Sequence, residues 1–397
     1  MHSAPLRPAV VTALNLNGLA VARSLGRAGV PVYAVDVGGD GCERRSRYVR
    51  GLWQRDGELV DLLLRKADEL GARPVLIPIT DESVLAIAAR LDDVRAKYDV
   101  AMPDPRLVRD LIDKAQMRRI AAAAGLPLPR TWEIEDVASF EAALGEMVYP
   151  CILKPSGKED AWHAAGLRKA YVCADRDELL ATWQKVVATS TRVIIQQFIT
   201  GGDDGIYFTL ACCGTGGKLL ASFSGRKLRQ WRPHCGGTAA AEPVTEPKLD
   251  EMSRRFFEGI GMRGLCSLEF KRDARDGAFY LIEPTVCRPD WQNGLADING
   301  VPLSLMAYRD LAELPQKPTR RGGQRRWVYW AWDRQAASYY RERGELSLFG
   351  WLHSIRPPVA GAVFAIDDLG PWWSLVVERL RGLLRRFRRP ARGNACA

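Results

Sequence analysis

The sequence predicts an α/β protein whose central part is α+β. Three observations carry this. Short apolar runs alternate with helical spacings over about the first hundred residues. Residues 192–283 hold alternating runs separated by turn residues, the pattern of an antiparallel sheet. The chain ends in a segment whose apolar residues recur every three to four positions, with arginines between them. A length of 397 residues suits two or three domains. A composition of 47% hydrophobic and 26% charged residues is ordinary for a globular chain and excludes wholesale disorder.

Residues 8–14 (PAVVTAL) read as a buried strand. A helix is expected over 19–28 with Gly29 as its stop, then a strand over 30–35 with Asp36 at its tip. This β-α-β unit continues with a helix at 58–70, a strand at 75–79 and a helix at 83–91, which together predict a Rossmann-like parallel sheet. Residues 109–124 form a further helix broken by Gly125 and the prolines after it. Strands follow at 149–154, 192–198, 206–213, 218–224, 264–271 and 278–283. Residues 156–168 are polar and irregular and read as a mobile loop, 301–313 as a helix, and 315–324 as a linker before an aromatic-rich segment at 326–340.

Charge and cysteines narrow the class. The net charge of +10 suits an anionic partner. Between Pro371 and Arg392, however, seven arginines face one acid, Glu378, so six of those ten charges belong to the tail. A nucleic-acid partner is therefore not expected. The nine cysteines form no CxxC and no zinc-like spacing, which predicts a reduced, cytoplasmic protein. The start, Met1-His2-Ser3-Ala4-Pro5, does not read as a signal peptide, and no uncharged apolar window approaches the ~18 residues that a spanning helix needs.

The first β-α-β turn invites a dinucleotide, but Asn15 and Asn17 stand where glycines would let backbone approach a pyrophosphate, and only Gly18 is present. A scaffold role for this unit fits better than nicotinamide binding. The central region offers more chemistry. Glu269 and Glu283 lie fourteen residues apart on two strands joined by a tight turn, so both carboxylates can face one side. Lys114, Lys154, Arg226, Lys227 and Arg229 supply cations nearby in sequence order. Paired carboxylates with several cations suit a Mg²⁺-nucleotide site, because hard Mg²⁺ takes oxygen ligands and phosphates supply those that protein does not.

In this order the segments DKAQMRRIAAAAGLPLPRT (113–131), CILKP (151–155), IIQQFITGGDD (194–204), GRKLRQWRP (225–233), GLCSLEFKRD (264–273) and LIEPTVCRPDWQNGLA (281–296) resemble the ATP-grasp superfamily, in its D-aspartate-ligase-like carboxylate–amine ligase group. The resemblance spans roughly residues 8–312. It implies a Rossmann-like domain over 1–110, a two-lobed ATP-grasp domain over 111–314 with a flexible lobe at about 130–200, and a C-terminal region over 315–397. It implies further that Lys114 and Lys154 bracket ATP, that Gln196, Gln197, Phe198 and Ile199 form the hinge reading the adenine, and that Asp204 holds the ribose. Arg226 and Lys227 would bind the transferred phosphate, Glu269 and Glu283 would ligate Mg²⁺, and Arg288 would stabilise the acyl phosphate or the species after amine attack. The 156–168 loop would be a flap with Lys169 behind it. The chain departs from the family at Glu283-Pro284-Thr285, where a hydroxyl replaces the usual amide.

The implied reaction couples ATP to amide formation between a small-molecule carboxylate and an amine through an acyl phosphate. Asn17, Asp81 and Gly236-Gly237-Thr238 are candidate substrate contacts, and a homodimer is compatible with the family. A non-catalytic nucleotide-binding protein of the same fold is the alternative. The helix over 370–387 reads either as an interfacial helix on an anionic membrane surface, holding the protein at the inner face, or as a stripe packed on the protein's own body.

Overall fold

The computed structural model describes residues 5–387 apart from 39–40, 157–161, 163, 169, 235 and 320–321, with the backbone alone over 382–387. The chain forms two compact units, one of Met1–Ile120, Tyr207–Glu269 and Glu283–Ala397, the other of Ala121–Ile206 and Phe270–Ile282.

In the first unit, β1 (Ala9–Val11), β2 (Val32–Val35), β3 (Val49–Trp53) and β4 (Val75–Ile77) form a parallel sheet of order β3-β2-β1-β4. Ala9, Val10 and Val11 are wholly buried, as expected of a strand covered on both faces. The strand β3 escapes sequence reading because Arg50 and Gly51 interrupt its apolar pattern. The first helix starts at Leu16, not Leu19, because the Asn15 side chain accepts from the amides of Asn17 and Gly18 and so caps it. Those are amides a pyrophosphate would use. A Cβ at Gly18 would collide with the Ala13 carbonyl, so this glycine serves a tight turn. Asp36 is held by Arg44, Gln54 and the Gly38 amide.

The helix expected over 109–124 is two helices, Pro105–Ile112 and Lys114–Ala123. Asp113 leaves helical geometry between them, and its side chain accepts from the amides of Ala115 and Gln116.

The second unit holds β5 (Thr131–Ile134), β6 (Cys151–Pro155), β7 (Tyr171–Cys173) and β8 (Val193–Gln197), an antiparallel sheet of order β5-β8-β6-β7. Its core gathers Phe140 and Trp183, stacked at 4.2 Å, with Leu153, Leu179 and Ile195. Trp162 also belongs to that core, fully buried, with its indole N–H donated to the Arg168 carbonyl. This part of the expected mobile loop is therefore anchored. Lys169 and most of 157–163 lie outside the described residues.

The largest sheet contains β9 (Ile206–Cys213), β10 (Leu219–Trp231), β11 (Gly237–Pro243), β12 (Gly264–Arg272), β13 (Phe279–Thr285), β14 (Arg326–Val328) and β15 (Val359–Gly361), in the order β13-β12-β9-β10-β11-β14-β15. The far ends of β12 and β13 count with the second unit. The aromatic-rich segment is part of this sheet through β14 and continues as the helix Trp330–Glu342.

The chain's last described helix, Gly370–Phe387, follows a tight anchor. Arg23 donates to Asp368 at 2.9 Å, and the same carboxylate accepts from Ser46 Oγ and the Arg47 amide. Both charges are almost wholly buried, at 6% and 1% side-chain exposure. Arg27 pairs with Asp367 in the open. Among the described residues no helix is long and apolar enough to cross a membrane. Cys42, Cys151, Cys173, Cys212, Cys213, Cys266 and Cys287 are free and buried.

Removing one partner of a buried ion pair strands the other charge. Asp368→Ala is therefore expected to lower stability by about 3–5 kcal/mol, whereas Asp367→Ala, at the exposed pair, should cost about 1 kcal/mol or less. Urea unfolding of both variants checks the contrast, and equal midpoints would refute it.

Candidate active site

Lys227 and Glu269 form the centre of the site within the first unit. Lys227 Nζ lies 2.6 Å from Glu269 Oε2 and donates to Gln230 Oε1 at 3.2 Å, with only 5% of the lysine side chain exposed. Residues three apart on a regular strand face opposite sides. An irregularity in the β10–β11 register around Leu228 brings Lys227 and Gln230 to one face. Burial pushes the Glu269 carboxyl up to about 7; Lys227 pulls against this, while Asp290 and Glu283 push it further up.

Glu269 thus meets one buried lysine and feels the charge of two further carboxylates, Asp290 and Glu283. Asp290 is fixed by three donors, Ser267 Oγ at 2.8 Å, Gln292 Nε2 at 2.9 Å and the Trp291 amide at 2.7 Å. Glu283 is exposed. An all-oxygen donor set of this kind fits Mg²⁺. Among the described residues no three acidic, histidine or cysteine side chains are placed to enclose a metal by themselves. These carboxylates therefore do not form a closed protein cage, and an ion held by them would need further ligands.

Arg226 is not part of this group. Its neighbour Lys227 takes the inner face of β10, so Arg226 turns the other way, onto Glu242 at 2.7 Å. Burial alone would raise the Glu242 carboxyl, but hydrogen bonds from Arg226 and Arg326 hold it below its ordinary range. Arg226 and Lys227, expected to act on one phosphate, thus meet different partners on opposite faces of β10.

Arg288 faces a partner from the helix that follows β4. Its Nε and Nη2 donate to Asp81 Oδ1 and Oδ2 at 2.6 and 3.2 Å. Asp81 starts the helix Asp81–Ala89, capped by Thr80. The residue before Arg288, Cys287, is buried with φ at 54°, a left-handed conformation rare for a residue with a side chain. Two other expected substrate contacts meet the same segment. Asn17 Nδ2 donates to the Pro289 carbonyl at 2.7 Å, and Thr238 Oγ1 donates to Gln292 Oε1 at 3.0 Å.

In the second unit, Lys154 Nζ donates to Gln196 Oε1 at 3.3 Å, and Gln196 Nε2 donates to Thr131 Oγ1 at 2.9 Å. The backbone amides of Gln197 and Phe198 donate to the carbonyls of Arg130 and Pro150, so a base edge would meet other groups of 196–199. Ile199 is buried. Lys271 lies 5.2 Å from the centre of the Phe198 ring; burial lowers its pKa, against the pull of Asp203 and Asp273. Asp204 is exposed, and Lys114 is an exposed first residue of its helix in the first unit. Lys169 lies outside the described residues.

Sequence reading missed Asp290, Gln230 and Gln292. Asp290 was findable as the acid two positions beyond Arg288; Gln230 was not, because only the register irregularity aims it at Lys227.

No family model matches the chain. A D-alanine–D-alanine ligase of Stutzerimonas stutzeri (strain A1501) is 27% identical over 316 residues, covering 73% of this chain and 83% of that protein. The D-alanine–D-alanine ligase of Ectopseudomonas mendocina (strain ymp) is 25% identical over 312 residues, with 73% and 83% covered. Among solved structures, phosphoribosylglycinamide synthetase from Anaerococcus prevotii aligns with a TM-score of 0.59 at 13% identity, over 78% of this chain and 75% of the other. The ADP complex of N5-carboxyaminoimidazole ribonucleotide synthetase aligns with a TM-score of 0.58 at 13% identity, over 82% of each chain. The chain is thus similar in sequence to D-alanine–D-alanine ligases over most of its length, and it shares the fold of the two synthetases aligned with it.

Proposed function

We propose that this chain is an ATP-dependent ligase that joins a small-molecule carboxylate to an amine. The observation that carries this reading is the buried Lys227–Glu269 pair with Glu283 and Asp290 beside it. A substrate carboxylate oxygen attacks the γ-phosphorus of ATP, and the bond to the bridging oxygen breaks to release ADP. The amine nitrogen then attacks the acyl carbon, the acyl–oxygen bond breaks, and phosphate leaves with the amine's proton. Mg²⁺, held by Glu269 and Glu283, would supply neutralisation of phosphate charge. Lys227 would donate to the oxygens of the phosphoryl group as it transfers, and Arg288 to the oxygen that gains charge at the acyl carbon. Lys114 and Lys154 would bracket the nucleotide, 196–199 would line its base and Asp204 its ribose.

In this reading 1–110 form the Rossmann-like domain, 111–314 the ATP-grasp domain with its lobe at about 130–200, and 315–397 the C-terminal region ending in the basic helix. The names of the curated relatives place small amino acids first among the carboxylates and amines to test. The protein works in the cytoplasm in this proposal, with its C-terminal helix at the inner face of a membrane.

An ADP-release screen over amino acids and small carboxylates with Mg-ATP tests the reading directly. Turnover that needs both a carboxylate and an amine is expected. Silence across the panel, with ATP still bound, would favour the non-catalytic alternative. On the best substrate pair, Glu269→Gln and Lys227→Met should each lower kcat by on the order of a hundredfold or more, with unchanged circular dichroism. Arg226→Gln, on the far face of β10, should stay within about tenfold of the parent. Equal losses for Arg226 and Lys227 variants would overturn this arrangement.

A further inference from the structure

We propose that the start of the C-terminal helix and the turn before it form one docking surface for an anionic lipid bilayer. This rests on the location given to that helix above and not on the ligase chemistry. The helix is fixed at its beginning. Asp368 is locked to Arg23, Ser46 and the Arg47 amide, and Pro371 is buried. A Cβ at Gly370 would collide with the Arg45 carbonyl, and Leu375 packs on the main core. An anchored amphipathic helix would normally cover its apolar residues against the body. This one does not.

Phe364, Ile366, Leu369, Trp372, Trp373 and Leu380 are 45%, 84%, 47%, 38%, 59% and 54% exposed. Their rings are contiguous: Phe364 meets Trp372 edge-on at 5.6 Å, and Trp372 lies 6.1 Å from Trp373. Phe364 and Trp372 also line a cavity of about 250 Å³ with Trp330, edged by Arg334 and Arg379. A patch of this kind marks an interaction site. Its chemistry selects the occupant. Seven arginines and one acid over Pro371–Arg392 complement anionic headgroups. In the turn before the helix, Asp367 is paired with Arg27 and Asp368 with Arg23. Tryptophans favour the headgroup depth of a bilayer, and aliphatic Ile366 and Leu380 reach the acyl boundary, whereas a nucleic acid would find only stacking rings useful. Because the surface is clamped to the first helix through Arg23 and Asp368, lipid contact would set the orientation of that helix.

The test is co-sedimentation of the full chain with vesicles of phosphatidylcholine and phosphatidylglycerol, against phosphatidylcholine alone, without ATP. Binding to the anionic vesicles only, weakened by salt, is expected. The pair Trp372→Ala/Trp373→Ala and the pair Arg379→Gln/Arg381→Gln should each weaken binding by about tenfold or more, with thermal unfolding and ADP release like the parent's. If the tryptophan pair fails to fold, the arginine pair decides. No pelleting with anionic vesicles, pelleting unchanged by either pair, or a concentration-dependent dimer that the tryptophan substitutions abolish would each overturn the proposal. None of these readings depends on ligase turnover, so a failure here leaves the proposed reaction standing.

Discussion

The site depends on one constraint: a lysine and a glutamate must meet inside a sheet although their strands are not neighbours. The sheet order places β9 between β10 and β12. Two strand spacings amount to about 10 Å. Only long side chains reaching toward each other close that gap, and Lys227 and Glu269 do so at 2.6 Å. Burying both charges carries a large desolvation cost, and such a pair is seldom a net gain in stability over well-packed apolar residues. The pair is better understood through reactivity than through stability. Burial raises the Glu269 carboxyl, and Asp290 and Glu283 raise it further, an unfavourable arrangement that a bound cation would relieve.

A second constraint organises the rest of the first unit. The stretch 287–292 gathers contacts from distant segments. Arg288 takes Asp81 from the helix after β4, the Pro289 carbonyl takes Asn17 from the first helix, Asp290 takes Ser267 from β12, and Gln292 takes Thr238 from β11. The left-handed turn at Cys287 redirects the chain out of β13 so that these side chains diverge toward separate partners. Hydrogen bonds of this kind are modest one by one, but together they fix rotamers, and positioning of groups at developing charge is what a phosphoryl- and acyl-transfer site requires.

Much of this was legible in the sequence. Strand and helix periodicity gave the parallel sheet around β1, β2 and β4, and the tight turn between 264–271 and 278–283 put Glu269 and Glu283 on paired strands. The absence of glycines at Asn15 and Asn17 argued against a dinucleotide, and Asn15 caps the first helix by accepting from the Asn17 and Gly18 amides. Asn17, Asp81 and Thr238, singled out as contacts, converge on one segment. Arg226 could not be sorted from Lys227 by charge alone, since only strand alternation and the Glu242 partner separate them.

The sequence by itself therefore determined the class of fold, the order of elements and the residue types able to handle phosphate and metal, because these follow from local periodicity and side-chain chemistry. Tertiary structure alone decided which cation meets which acid, that Trp162 anchors a polar loop, that residues 326–328 join the large sheet, and that an anchored terminal helix keeps its tryptophans exposed. Those outcomes depend on strand order, register and burial, and residues tens to hundreds of positions apart have no local signal through which to announce their meeting.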